Sequence, residues 1–406
     1  MLFKLGRSLS LPSVGMFPLF ILAHYAHHLL TALPVPLLPL IRDEFNLDYA
    51  SAGLIISAFT LSYGIGQVPA GWLSDKLGAR LIMSLGIAGV AVAGLLVGIA
   101  PSYVLIVVLL SLMGLMAGGY HPGSTELLTS LQPGQRGRAL GLHMIGGSAS
   151  YFSAPLIAAA LAATWGWRGS FLVLAAPTAI FGVAFYWMVK SWTASRAASK
   201  KAGLGEAPAA PGRLRRLVVF MTLCALVQSI VLSTISFIPL LQTDHFGTSA
   251  GVAAASVSLI YLPGLWTAPL GGFISDRLGR LRVALTSFFF MGPLIFLFNM
   301  ASPGLSLSAL LIGFGTLLFL YAPVSQAYIA ENTGRYRSTA LGIYFFANME
   351  GGGVLTPIMG FMIDRIGFQG SFAVAAGALT TVVVIGTSLL YLWRPRLAPA
   401  LPAVSK

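Results

Sequence analysis

Along this chain, apolar residues fall in runs longer than any water-facing helix or strand requires. A helix needs about 20 such residues to cross a hydrocarbon core roughly 30 Å thick. Twelve runs meet that length: 16–41, 50–73, 81–100, 104–128, 138–162, 170–190, 217–241, 251–274, 282–301, 305–330, 338–361 and 370–393. They are continuous rather than alternating, which excludes a barrel of roughly ten-residue strands. The pattern predicts an all-α membrane protein with twelve transmembrane helices.

Composition agrees with the pattern. Only 9% of the 406 residues are charged and 57% are hydrophobic, with mean hydropathy +0.86. Soluble domains carry about 25% charged residues. Cys224 is the single cysteine, which excludes a disulfide scaffold. The net charge of +13 raises the question of nucleic acid, but the placement of the charges answers it. With both termini cytoplasmic, 21 of the 24 basic residues face inward. Outside remain Arg42, Arg168 and Arg365, with the acids Asp43, Glu44, Asp48, Asp244 and Asp364. This is the positive-inside bias, directed at anionic membrane lipid, and no nucleic-acid partner is expected. Trp72, Trp165, Trp167, Trp187, Trp192 and Trp393 fall at run ends, as an interfacial belt predicts. The short, proline-broken start of the chain is not expected to be a cleaved signal peptide.

The chain repeats itself. Asp75 and Asp276, Pro122 and Pro323, Arg136 and Arg337, Gly141 and Gly342, Ser170 and Ser371, and Phe171 and Phe372 all stand 201 residues apart. Residues 190–216, rich in Ala, Gly, Pro and basic residues, read as a flexible cytoplasmic linker. The expected organisation is an N-terminal six-helix bundle, 1–189, and a C-terminal six-helix bundle, 217–406. Parallel repeats of this kind suit alternating access, with substrate held between the halves near mid-membrane.

Corresponding loops carry one motif twice. Gly71-Trp-Leu-Ser-Asp75-Lys76-Leu-Gly78-Ala-Arg80 and Gly272-Phe-Ile-Ser-Asp276-Arg277-Leu-Gly279-Arg280 share Gly, Asp, a following base, Gly and a terminal Arg. Gly71 and Gly272 permit close helix approach, and Gly78 and Gly279 permit a tight turn. Asp75 and Asp276 suit a helix N-terminus or pairing with the neighbouring bases. The motif resembles the signature loop of the major facilitator superfamily, and with twelve runs the resemblance covers the whole chain. It implies two pseudo-symmetric bundles and loops that latch the cytoplasmic side when the carrier opens outward. Within the superfamily the chain looks most like the fosmidomycin-resistance type of exporter. His24-Tyr-Ala-His27-His28 with the Pro-rich run to Pro39, Gly119-Tyr120-His121-Pro122, Gly146-Gly147 and Ala154-Pro155 carry this likeness. The chain departs from that type at His27-His28, where Asn-Asp is the pattern. Leu110 stands where many drug–proton antiporters have a buried Arg.

Ionisable groups inside a membrane are costly and point to function. His24, His27 and His28 share one helix face of about 100°. Imidazole titrates near neutral pH, so this face suits proton carriage or solute contact. Structural hydrogen bonding and metal ligation by an i, i+4 pair are the alternatives, and no Cys or Met cluster supports metal. His121 precedes Pro122, which frees a backbone carbonyl. Glu126 is five residues on and suits pairing with Arg136 or Arg138. Glu350, beside Asn348 and a glycine run, sits mid-span, where a carboxyl is readily protonated. Gln67, Tyr151, Gln228 and Gln326 are candidates for a polar cavity, as are Tyr63, Tyr261, Tyr321 and Tyr344. His143 and Glu331 are placed near the cytoplasmic face. No Lys or Arg lies deep in a run, which favours a neutral, cationic or weakly acidic solute.

The sequence therefore predicts a proton-coupled secondary transporter for a small organic solute. It is expected to be multi-pass, in the bacterial cytoplasmic (inner) membrane, and to work as a monomer. Efflux by antiport follows from the subfamily resemblance. The alternatives are uptake by proton symport, a metal-dependent membrane enzyme or metal-ion carrier using the histidines, and a non-transporting receptor. No enzymatic activity, cofactor or resident metal is expected, and no P-loop is present for ATP.

Overall fold

With no water inside a bilayer to satisfy backbone N–H and C=O groups, a spanning segment must bond to itself. The computed structural model describes residues 16–131, 136–190, 213–332 and 337–392. Among them every regular element is helical. The helices are α1 Met16–Thr31, α2 Pro34–Phe45, α3 Tyr49–Leu77, α4 Ala79–Gly98, α5 Tyr103–Ala117, α6 His121–Leu131 and α7 Arg136–Met188. After the undescribed linker come α8 Arg213–Leu240, α9 Ala250–Ser256, α10 Ser258–Tyr261, α11 Gly264–Leu278, α12 Arg280–Leu297, α13 Leu305–Asn332 and α14 Arg337–Leu392.

Ten stretches among the described residues are long and apolar enough to cross a membrane. Two of these are double length. At 53 residues, α7 would extend about 80 Å if straight. It breaks at Gly166, φ 65° and ψ 177°. Beyond the break Ser170 Oγ donates to the Ala158 carbonyl at 3.1 Å, across a separation that a straight helix would stretch to about 18 Å. The chain has therefore turned back on itself. The break in α14 falls at Gly367, φ 70° and ψ 176°, 201 residues from Gly166. A side chain at either position meets left-handed backbone that only glycine adopts without strain. Divided there, the described stretches form twelve apolar segments.

The repeat seen in sequence is also a repeat of backbone. Gly78 and Gly279 adopt φ 94° and 93° with ψ 135° each, as the tight-turn reading requires. Asp48 and Ser249, at the same offset, accept from the backbone N–H of Ser51 and Val252. At Asp48, hydrogen bonds from Ser51 also hold the carboxyl below its ordinary value.

The two sets of helices meet as the repeat dictates. Helix α3 packs on the first part of α14, and the first part of α7 packs on α9 and α10. Small residues allow the first contact. A Cβ on Gly53 would lie 2.9 Å from the Thr356 carbonyl, and one on Gly360 would clash with the Tyr49 carbonyl. Ser57 Oγ donates to the Gly353 carbonyl one turn further along the same contact. At the end beyond Gly53 a polar network crosses the seam. Arg42 and Tyr49 both donate to Asp244, and the Tyr49 and Ala50 backbone N–H groups donate to Asp364 at 3.0 Å each. Asp364 thus supplies an anion to the N-terminus of α3, where the helix dipole favours one. This is called the Arg42 end below, and the end carrying the repeated motif the latch end.

The latch end shows Arg280 on Asp276 at 2.5 Å, on Glu331 at 3.3 Å and on the Gly272 carbonyl at 3.2 Å. Lys76 lies over the Trp72 ring at 3.8 Å, Arg277 over Phe273 at 4.2 Å and Arg80 over Tyr186 at 3.9 Å. The Asp75 side chain lies outside the described residues. Among the described residues, a Cβ on Gly272 would meet nothing within 4 Å, and one on Gly71 only Pro122 at 3.8 Å.

Trp72, Trp165 and Trp187 are exposed, as a belt predicts. Trp167 is a correction: it is 3% exposed and donates to Glu44 at 2.6 Å, with Arg168 on the same carboxylate. Its partner is 123 residues away in sequence, so its position at a run end was misleading. Trp192 and Trp393 lie outside the described residues.

Candidate functional site

Three interrupted helices converge on the site. The first span breaks at Ala32 and Leu33, between α1 and α2. Gly118–Tyr120 interrupt the fourth span just before His121 and Pro122, where proline deprives the preceding turn of one N–H. Leu262 and Pro263 interrupt the eighth, just after Tyr261. The backbone N–H groups at these breaks still donate within the chain, Ala32 to the His28 carbonyl, Gly118 to the Gly114 carbonyl and Leu262 to the Ser258 carbonyl.

Five of the six histidines gather at this level. His24 lies 4.8 Å from His28, 5.3 Å from His121 and 4.1 Å from His143, measured between ring centroids. His27 lies 4.7 Å from His28 and 5.4 Å from His121, and His28 lies 5.3 Å from His121. All are buried except His121, which is half-buried. Among the described residues none of the five has a carboxylate partner.

Their hydrogen bonds assign protons. His24 Nδ1–H donates to the His143 carbonyl at 2.9 Å and His143 Nδ1–H to the Phe20 carbonyl at 3.2 Å. A carbonyl only accepts, so both rings carry the proton on Nδ1 and a lone pair on Nε2. His28 Nδ1 pairs with Thr31 Oγ1 at 3.0 Å, and His27 Nε2 with the Tyr63 hydroxyl at 3.1 Å. His27 Nδ1 and His143 Nε2 have no partner among the described residues although both are buried. Such atoms are costly unless a polar partner meets them.

Aromatic rings enclose the cluster. Tyr120 stacks on His27 at 4.7 Å, and Tyr63 on His121 at 6.0 Å. Tyr151 lies 4.6 Å from His28 and stacks at 4.8 Å on Tyr261 of α10. The Tyr151–Tyr261 pair therefore joins the cluster to the seam between the two sets of helices.

Gly146 and Gly147 make this approach possible. A Cβ on Gly147 would lie 2.6 Å from the His24 ring, so α7 reaches α1 only because that atom is missing. Overpacking of this kind costs about 1–3 kcal/mol. Gly147→Val is expected to lower the thermal unfolding midpoint of the purified protein by several degrees; an unchanged midpoint would show that the ring has room to move.

The predicted site residues divide. His24, His27, His28, His121 and Tyr151 come together. His143 joins them, against the expectation that it lies near the membrane face. Helix α7 begins at Arg136, so His143 is about 10 Å inside it, and Phe20 and His24 draw it to the cluster. Gln67 and Gln326 are half-buried, and Gln228 accepts from Tyr321 in the second half. Asn348 Nδ2 donates to the Tyr344 carbonyl of its own helix at 2.8 Å. Glu126 and Glu350 lie on helices, but their side chains lie outside the described residues.

A family model described as Major Facilitator Superfamily matches residues 20–267 and 232–406. The chain is 27% identical over 373 residues to the "Probable sulfoacetate transporter SauU" of Cupriavidus necator, covering 85% of this chain and 86% of that one. It is also 27% identical over 378 residues to the "Multidrug resistance protein MdtG" of Proteus mirabilis, covering 89% and 91%. Among solved structures, a bacterial homologue of the human lysosomal transporter Spinster, in an inward-facing and unoccupied conformation, aligns with TM-score 0.71 at 17% identity. That alignment covers 96% of this chain and 100% of the other. A POT family transporter in complex with 5-aminolevulinic acid aligns with TM-score 0.76 at 11% identity, covering 93% and 96%. Both structures share the fold.

Proposed function

The chain belongs to the Major Facilitator Superfamily, and on that premise we propose that it is a proton-coupled secondary transporter of a small organic solute, working by alternating access. Its moving parts are two six-helix halves, 1–189 and 217–406, joined by a cytoplasmic linker, 190–216. Both termini are proposed to lie in the cytoplasm of a bacterial inner-membrane protein, a reading that the distribution of Lys and Arg supports. The Arg42 end then faces outward and the latch end inward. The hydrogen bonds of Arg42, Tyr49 and Ala50 to Asp244 and Asp364 support a state closed to the outside.

The observation that carries this reading is the histidine cluster beside the Tyr151–Tyr261 pair. Rocking of one half against the other separates the two tyrosines and exposes His28 to a different side. An imidazole that gains access to water can accept or release a proton. Solute and proton therefore meet the same group of side chains, as coupling requires. Glu350 is proposed as a second proton carrier, and Asn348, Gln67, Gln228 and Gln326 as polar lining.

Efflux is the favoured direction, supported by the relative named as a multidrug resistance protein. Uptake by symport is the second reading, supported by the relative named as a sulfoacetate transporter. The test is lumenal pH in proteoliposomes loaded with a pH dye, with hydrophobic cations, neutral antibiotics, phosphonates and small carboxylates added outside. Alkalinisation on adding one solute means protons leave as it enters, which is antiport. Protein-dependent acidification means symport. Solute entry with no pH change contradicts proton coupling in either direction.

A further inference from the structure

We propose that His24, His28 and His121 form a coordination site for a divalent transition-metal ion, within the cluster read above as the solute-facing site. One ring nitrogen from each of the three lies within 4.8 Å of the other two. Metal–nitrogen bonds of about 2.0–2.1 Å in a tetrahedral shell place ligand nitrogens about 3.4 Å apart. Each pair therefore closes by about 1.4 Å at most, a movement of side chains alone. His24 and His28 stand at i, i+4 on α1, and His121 comes from α6 on a separate span. Spacing along the chain supplied the first two; only the fold brings the third.

Outer contacts support the same conclusion. A metal-binding histidine characteristically donates its other ring N–H to a backbone carbonyl or a polar side chain, which fixes tautomer and orientation. His24 does so through Nδ1 to the His143 carbonyl, and His28 Nδ1 is engaged by Thr31 Oγ1. Both leave Nε2 bare. The missing Cβ of Gly147 leaves room for the His24 ring where it stands. His27 Nδ1 and the lone pair on His143 Nε2 are buried beside the three without partners among the described residues. Among the described residues no Lys or Arg belongs to the cluster, as suits a cation. Imidazole donors without thiolates select borderline ions such as Co²⁺, Ni²⁺, Cu²⁺ and Zn²⁺. Three ligands leave one tetrahedral position open. The ion thus arrives free or held by a small chelator, and both sources share this chemistry.

This inference rests on the cluster being the solute site, and not on proton coupling. The test uses purified full-length protein in detergent, titrated with Co²⁺ alone and with Co²⁺–citrate. The expected result is one Co²⁺ per chain from at least one of the two sources, with the visible absorption of a tetrahedral complex. His24→Ala, His28→Ala and His121→Ala should each weaken binding more than about tenfold, since loss of an outer partner alone costs 10–100-fold. The variant His245→Ala, exposed and remote, should bind as the wild type does. Should a cluster variant fail to fold, nitrogen superhyperfine splitting from three imidazoles in the Cu²⁺ spectrum of the wild type gives the same information. Binding from neither source, or binding unaffected by all three substitutions, overturns the proposal. Lumenal-pH transport in the presence of a chelator separates the two readings: if it persists while Co²⁺ fails to bind, the metal site falls and the transporter stands.

Discussion

A leucine in place of Gly360 is expected to hold the Arg42 end of the protein open. A Cβ at this position already clashes with the Tyr49 carbonyl, and Ala50 Cα lies 2.9 Å away. Neither neighbour can yield cheaply. Both belong to the first turn of α3, whose backbone N–H groups are held by Asp364 at 3.0 Å. Overpacking costs about 1–3 kcal/mol, and 1.4 kcal/mol is a factor of ten. The equilibrium should move by about 5- to 150-fold toward the conformer in which α3 and α14 have parted. Ser57 reports on this, because it is 4% exposed when closed and donates to the Gly353 carbonyl. Cys224 is fully buried, so a cysteine introduced as Ser57→Cys is the one reactive thiol. Its labelling by a water-soluble maleimide should accelerate about tenfold or more in the Gly360→Leu background, and solute transport should fall in parallel. An unchanged labelling rate would mean that the α3–α14 contact does not close this end.

The second large effect is expected at His28. Its ring touches His24, His27, His121 and Tyr151, so it links the imidazoles to the seam. Alanine there removes a group able to carry a proton and leaves the surrounding polar atoms unsatisfied. A buried group left without its partner costs about 1–3 kcal/mol. Solute-evoked pH change in proteoliposomes should fall by about 100-fold. His245→Ala serves as the control and should transport normally. Wild-type transport by His28→Ala, in protein of unchanged elution profile, would remove His28 from the mechanism.

Much of the fold was legible because lipid simplifies the problem. Length and apolarity located the segments, and the 201-residue offset foretold that features would come in pairs. Gly166 and Gly367 end helices with the same backbone angles, and Asp48 and Ser249 cap helices in the same way. Legibility ended where contacts join distant parts of the chain. Arg42 and Asp244 were placed on one side of the membrane by charge alone. Nothing in their spacing, 202 residues, announced that they pair. His143 was read as shallow, whereas an early start to α7 and a carbonyl of α1 draw the ring inward. The helical periodicity of α1 did place three histidines on one face. Assembly of five required the interruption at Gly118–Tyr120, which turns His121 toward them, and the missing Cβ of Gly147, which admits α7. Both are effects of packing between helices, invisible to a pattern within one.

Solute and proton are proposed to meet at the histidine cluster. Proton release or uptake on solute binding tests this most directly, in weakly buffered detergent solution near pH 6.5 and with a solute found by the lumenal-pH screen. The wild type should exchange about one proton per solute bound, and the double variant His24→Ala, His28→Ala should exchange none. An equal proton count in both proteins would contradict the claim and move coupling elsewhere in the molecule.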